Sequence, residues 1–202
     1  MATKRVRRSP EAARAEILEA AESLLQEHDW SRVSVERLME RTGMTRSSFY
    51  HYFKGVDEVA VALFGRVEDE VRNAVGEWLD AEVSDADPEA SAVDALTRMF
   101  GVWSEHLELM RAMEQAAGRS GSAYEQWRER VVEGYIAQTT TFIERQIEAG
   151  RSDVDDPSTL ARALILMNVS VATDQVLRRE RFPAERLGAT VARVWVAAIF
   201  RN

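Results

Sequence analysis

Apolar residues recur along this chain at spacings of three and four, and no stretch alternates with the period of two that a strand requires. Val35, Leu38 and Met39 form one inner face, and Phe49 and Phe53, four apart, form another. Trp127, Tyr135 and Phe142 recur near two-turn intervals on a broad face, while Val191, Val194, Trp195 and Ala198 fall at i, i+3, i+4 and i+7. The punctuation agrees with this periodicity. All four prolines, Pro10, Pro88, Pro157 and Pro183, stand where a helix should open, and Ser9, Asp87 and Asp156 precede three of them as caps. Ser122 with Glu125 makes a capping box before Trp127, and the Gly118–Gly121 and Gly150–Ser152 segments interrupt the pattern. These signals predict an all-α protein with helices over 10–28, 35–41, 46–52, 57–83, 88–104, 107–117, 123–149, 157–179 and 184–200.

The segment from Ser34 to Phe53 is the most informative. Two short helical patterns flank Thr42-Gly43-Met44, and each opens with a hydroxyl residue able to cap it, Ser34 and Thr45. Gly43 stands where a tight inter-helix turn needs a left-handed residue. This is the pattern of a helix-turn-helix, whose second helix enters the DNA major groove. The exposed face of that helix would offer Thr45, Arg46, Ser47, Ser48, Tyr50 and His51, with Ser34 and Lys54 at its flanks. The Arg46 guanidinium suits a guanine edge or a phosphate. The rival reading is a glycine-linked pair of core helices. The preceding arm favours DNA, because Lys4, Arg5, Arg7 and Arg8 lie ahead of any periodicity and can follow phosphates or enter the minor groove.

Charge then refines the picture. The net charge is −8, yet residues 1–56 hold ten lysines and arginines against eight acids, and the remainder holds 16 against 26. An acidic body behind a basic end favours one docking orientation on DNA. The chain contains no cysteine, so disulfides, thiolate nucleophiles and cysteine–zinc sites are excluded. No glycine-rich phosphate loop is present, and the three histidines show no metal-ligand spacing. Neither a metal nor a cofactor is expected. The charged N-terminus does not read as a secretory signal, and no apolar stretch approaches the roughly 20 residues of a membrane span. A soluble, cytoplasmic protein that makes no use of a membrane is expected.

The region beyond residue 57 carries most of the large apolar side chains. Phe100, Trp103, Met110, Met113, Trp127, Tyr135, Phe142, Met167 and Trp195, together with the amide of Asn168, describe either a core or an apolar small-molecule pocket with a polar anchor. Buried amides need partners, so Asn168 faces either core polar groups or a ligand. A helical enzyme is the competing class. Its nearest acid–base group is Glu105, His106 and Glu108, which reads more simply as exposed helix charge.

Residues 10–65 resemble the DNA-binding domain of the TetR family of transcriptional regulators. The matching pieces are Ile17-Leu18-Glu19-Ala20-Ala21 running to Leu24-Leu25, Val33-Ser34-Val35, Gly43-Met44-Thr45 and Phe49-Tyr50-His51-Tyr52-Phe53. The family's phosphate-binding lysine, three residues past the last phenylalanine, is here Val56, and Lys54 is its possible substitute. Trp127, the Tyr135–Arg145 helix, Leu160–Asn168 and Val194–Phe200 are similar to the ligand domain of the ethionamide-resistance-regulator branch. The resemblance implies nine helices and a non-enzymatic regulator. It divides the chain into a basic arm (1–9), a helix-turn-helix domain (10–56) and a ligand and dimerisation domain (57–202). It also implies a homodimer paired through the last two helices, a palindromic operator, repression, and release by an apolar effector held in a channel that includes Trp127, Asn168 and Trp195.

Overall fold

The computed structural model describes residues 9–80, 87–117, 123–178 and 180–200, with the backbone alone at 113–117 and 123–124. Among these residues there are nine α-helices, one short 3-10 turn and no strand. The arm cations Lys4, Arg5, Arg7 and Arg8, the Ser122 capping box and the side chain of Met113 lie outside the described residues. The helices are α1 (Pro10–Glu27), α2 (Val35–Thr42), α3 (Arg46–Phe49), α4 (Val56–Asp80), α5 (Pro88–Glu105), α6 (Leu107–Ala117), α7 (Ala123–Glu148), α8 (Pro157–Leu177) and α9 (Ala184–Ile199). A 3-10 turn at Trp30–Arg32, which periodicity did not reveal, links α1 to α2.

The caps account for where the helices begin. Ser9 Oγ accepts from the Ala12 amide at 3.2 Å, Ser34 Oγ from Arg37 at 3.3 Å and Thr45 Oγ1 from Ser48 at 3.2 Å. Asp87 accepts from the amides of Glu89 and Ala90 at 2.9 and 3.3 Å, and Asp156 from that of Thr159 at 3.0 Å. Each bond satisfies an amide that the first turn leaves unpaired. The bonds to Thr159 also hold the Asp156 carboxyl below the usual carboxylate range. Pro183 is the residue before α9 rather than its first turn, and its carbonyl accepts from Arg186 and Leu187.

Two expectations need correction. The helix expected over 46–52 is regular only to Phe49. Beyond it His51 and Tyr52 bond three residues back, tightening the chain into turns that end at Phe53. In addition, α8 is 21 residues long and apolar enough to cross a membrane by length and composition alone, contrary to the sequence expectation. Arg162 and Asp174 interrupt its apolar run and obscured its length. The helix packs along α7 and buries Ala161, Leu164, Ile165, Ala172 and Val176, as a core helix does.

One contiguous hydrophobic cluster extends from Ile17 in α1 to Ile199 in α9. Helices α5 and α9 make its most extensive helix–helix contact. They approach closely at Gly188, where an added Cβ would lie 2.6 Å from the Thr97 backbone. A Gly188→Ala protein is therefore expected to lose about 1–3 kcal/mol, the cost typical of overpacking. The change is read from the urea midpoint, and an unshifted midpoint would mean that α5 and α9 separate freely.

Candidate functional site

The first site is built on α2 and α3. Leu38, Phe49 and Phe53 are buried beneath them, and Gly43, with φ at 63°, turns the chain between the two helices. The Arg41 guanidinium forks onto the Glu27 carboxylate at 2.9–3.0 Å and also reaches Ser23, so that α2 is fastened to α1. Burial of Phe49 directs its neighbours outward. Thr45, Arg46, Ser47, Tyr50 and His51 are exposed on one face, and Ser34 and Ser48 are half-buried at its edge. Ser48 is held by its 2.9 Å contact with the Thr45 hydroxyl.

Arg46 is not idle in this state. Its Nη1 donates to Glu36 at 2.8 Å, its Nη2 reaches the Tyr50 hydroxyl at 3.5 Å, and its guanidinium stands 5.9 Å from the Tyr50 ring centre. The Tyr50 hydroxyl, and then the Glu36 charge, raise the guanidinium above its already high range. Lys54 is almost fully exposed, with Nζ 3.6 Å from Glu58. Val56, where the resembling family places a lysine, opens α4 and packs half-buried against the core.

The second site is a cavity of about 120 Å³ inside the helical body. Six helices wall it: α4 through Phe64, Val67, Val71, Val75 and Trp78; α5 through Leu96, Met99 and Trp103; and α6 through Met110. Trp127, Val131, Val132 and Tyr135 come from α7, Ile165, Asn168 and Ala172 from α8, and Trp195 from α9. The lining is almost wholly apolar. Asn168 Oδ1 accepts from Trp195 Nε1 at 3.2 Å, both residues buried, which answers how the amide is paired. Trp78 meets Trp195 and Phe142 with ring centres 5.3 Å apart in each case, and Trp127 stands edge-on to Phe64 at 4.4 Å.

Of the residues chosen from sequence, Trp103, Met110, Trp127, Tyr135, Asn168 and Trp195 meet at this cavity. Three do not. Phe100 is buried against Trp103, Phe142 packs between Trp78 and Phe200, and Met167 lies half-buried against the core. Sequence reasoning overlooked α4, the largest contributor. Its signal was present in Phe64, Val67, Val71, Val75 and Trp78, spaced three, four, four and three apart. The acid–base trio is dispersed. His106 Nε2 lies 3.1 Å from Glu70, Glu108 pairs with Arg111 at 2.8 Å, and Glu105 is exposed. The final-helix stripe also divides, with Val191 and Trp195 turned inward and Val194 exposed.

Comparison with known proteins gives this arrangement a lineage. Residues 17–63 match the family described as bacterial regulatory proteins, tetR family, and residues 92–201 match the C-terminal domain of the transcriptional regulator EthR. The chain belongs to the TetR family. Its relatives include EthR of Mycobacterium tuberculosis, 28% identical over 190 residues that cover 91% of this chain and 85% of EthR. EthR of Mycolicibacterium smegmatis is 27% identical over 192 residues, covering 92% and 85%. Among solved structures, SmeT of Stenotrophomonas maltophilia in complex with triclosan superposes with a TM-score of 0.71 at 22% identity, covering 95% of this chain and 93% of SmeT. FadR of Bacillus subtilis in complex with stearoyl-CoA gives 0.69 at 16% identity, covering 92% and 98%. At such identities these structures establish a shared TetR-family fold. The relatives matched by sequence are transcriptional regulators, so the TetR-family helix-turn-helix here is the module of a DNA-binding regulator.

Proposed function

We propose that this chain is a dimeric repressor that reads a palindromic operator through α3 and is released when an apolar effector occupies the cavity. One observation carries the reading: α4 belongs to both sites. Its first part packs on α1 of the DNA-binding unit, where Arg66 pairs with Glu22 at 2.9 Å, and from Phe64 to Trp78 it walls the cavity. Helix α6 adds a second link, supplying Met110 to the cavity and touching both α1 and the Trp30–Arg32 turn. An effector with different affinities for two settings of these helices would shift operator affinity by that difference. SmeT in complex with triclosan and FadR in complex with stearoyl-CoA are proteins of the same fold that hold small molecules with large apolar parts, which supports this reading.

Dimerisation is supported by what α8 and α9 leave uncovered. Leu166, Leu177, Phe182 and Val194 are exposed large apolar side chains on or between these helices, the surface that a two-fold four-helix contact would bury. Thr45, Arg46, Ser47, Ser48, Tyr50 and His51 would meet base edges and phosphates, with Ser34, Lys54 and the four arm cations alongside. Such a regulator acts where the chromosome is, in the cytoplasm. The two recognition helices of the dimer would stand one DNA turn, ~34–36 Å, or more apart.

Selection of duplex DNA from a randomised pool tests this reading. The expected winner is a palindrome bound by one dimer. Its affinity should fall about a thousandfold between roughly 50 and 200 mM salt, as expected when about six phosphates are neutralised. Folded, dimeric protein that enriches no sequence would sink the proposal.

A further inference from the structure

The cavity does not end at its apolar wall. Against its α4–α7 side lies a second chamber of about 490 Å³, lined by Glu68, Arg72, Arg130, Gly134, Gln138 and the residues the two chambers share. Glu68, Trp127, Val131 and Tyr135 line both, so the chambers adjoin. Their chemistry is opposite, one almost wholly apolar and the other bordered by charge and hydrogen-bonding groups.

The outer groups differ in what already occupies them. Glu68 pairs with Arg72, and Gln138 Nε2 donates to Asp80 at 2.9 Å. Two groups are left over. Arg130 is exposed and forms no ion pair among the described residues. Tyr135 lines both chambers, and its hydroxyl is buried with no acceptor for its proton, the Arg72 guanidinium being the nearby group that opposes the upward shift of the phenol. Burial first, and then the Glu68 charge, push this phenol up to about 12. It therefore keeps its proton and stands as an unused donor. Two arginines against one carboxylate leave the outer chamber net positive. A buried donor and an unpaired cation both call for an acceptor, and a negatively charged one answers both. The inner chamber is close to the roughly 150 Å³ of a cavity that takes up benzene.

We propose that the effector is an anionic amphiphile: an apolar part about the size of an aromatic ring fills the inner chamber, and a carboxylate-like end lies outside it against Tyr135 and Arg130. The proposal rests on the effector reading above and specifies its ligand class. An ammonium end would meet Arg130 and Arg72, with Glu68 already engaged. A purely apolar ligand would leave the Tyr135 proton without an acceptor.

Three probes with one apolar body separate the possibilities: 3-phenylpropionate, 3-phenylpropan-1-ol and 3-phenylpropylamine, titrated into the intact protein by calorimetry and tryptophan fluorescence. The acid is expected to bind at least tenfold more tightly than the alcohol, with the amine weakest. Arg130→Gln should bring the acid-to-alcohol ratio close to one, and Tyr135→Phe should weaken acid and alcohol alike. Equal affinities for the three, or the amine binding best, would overturn the anionic class while leaving the effector reading in place. Failure of all three to bind would overturn the effector reading and this inference with it.

Discussion

Trp195→Ala is expected to remove about 3–5 kcal/mol of folding stability, the range for truncating a fully buried aromatic side chain. Against the roughly 5–15 kcal/mol typical of a domain, that is a large share of the whole. Trp195 is 1% exposed and packs on Trp78, and its indole N–H is the partner of the buried Asn168 amide. The truncation therefore opens a void and leaves an amide unpaired. Trp195→Phe separates the two effects, since it keeps most of the ring and removes the donor, and about 1–3 kcal/mol is expected from the stranded amide alone. Adding Asn168→Leu to Trp195→Phe should recover much of that loss, because replacing both partners with apolar groups is nearly neutral. Urea unfolding of the three proteins checks the scheme. A Trp195→Phe protein as stable as the parent would show that the indole–amide bond contributes nothing, leaving packing alone as the role of Trp195.

That bond also marks the limit of what sequence order can convey. The caps at Ser9, Ser34, Thr45, Asp87 and Asp156 are local, each formed within three residues, and the helix starts were legible for that reason. The outward face of α3 was legible too, because burying Phe49 and Phe53 fixes where the residues around them point. The cavity was harder. Asn168 and Trp195 are 27 residues apart, and which residue would pair with the amide depends on how α8 and α9 cross. Periodicity shows that Phe142 lies on an apolar face. It cannot show that this face meets Trp78 and Phe200 while Tyr135, two turns earlier on α7, meets open space. The charge split between the halves pointed to a docking end, but it could not reveal that Arg46 is tethered by Glu36 in the free protein. A contact between residues ten apart on different helices depends on the turn at Gly43, not on composition.

That tether shapes the second large effect. Arg46→Ala is expected to weaken operator binding about a hundredfold, since losing one contact to a base edge costs about tenfold per half-site and a dimer loses two. Phe49 is buried beneath α3, while Arg46 is exposed beside the exposed Tyr50, where it would meet the groove. In the free protein the same guanidinium is engaged by Glu36 at 2.8 Å, so a contact with DNA would have it exchange a carboxylate for a base or a phosphate. Glu36→Gln should remove this competition, along with a negative charge close to the DNA, and strengthen binding several-fold. In the double variant Arg46→Ala/Glu36→Gln the benefit that acts through Arg46 should vanish, leaving only the salt-dependent part due to the lost charge. Both positions are exposed, so neither change should disturb the fold, and equal thermal unfolding of the variants would verify this. Affinities for the selected operator, measured as a double-mutant cycle at two salt concentrations, provide the test. If Glu36→Gln strengthens binding equally with and without Arg46, the tether has no part in recognition. If Arg46→Ala binds the operator as tightly as the parent, Arg46 does not read it.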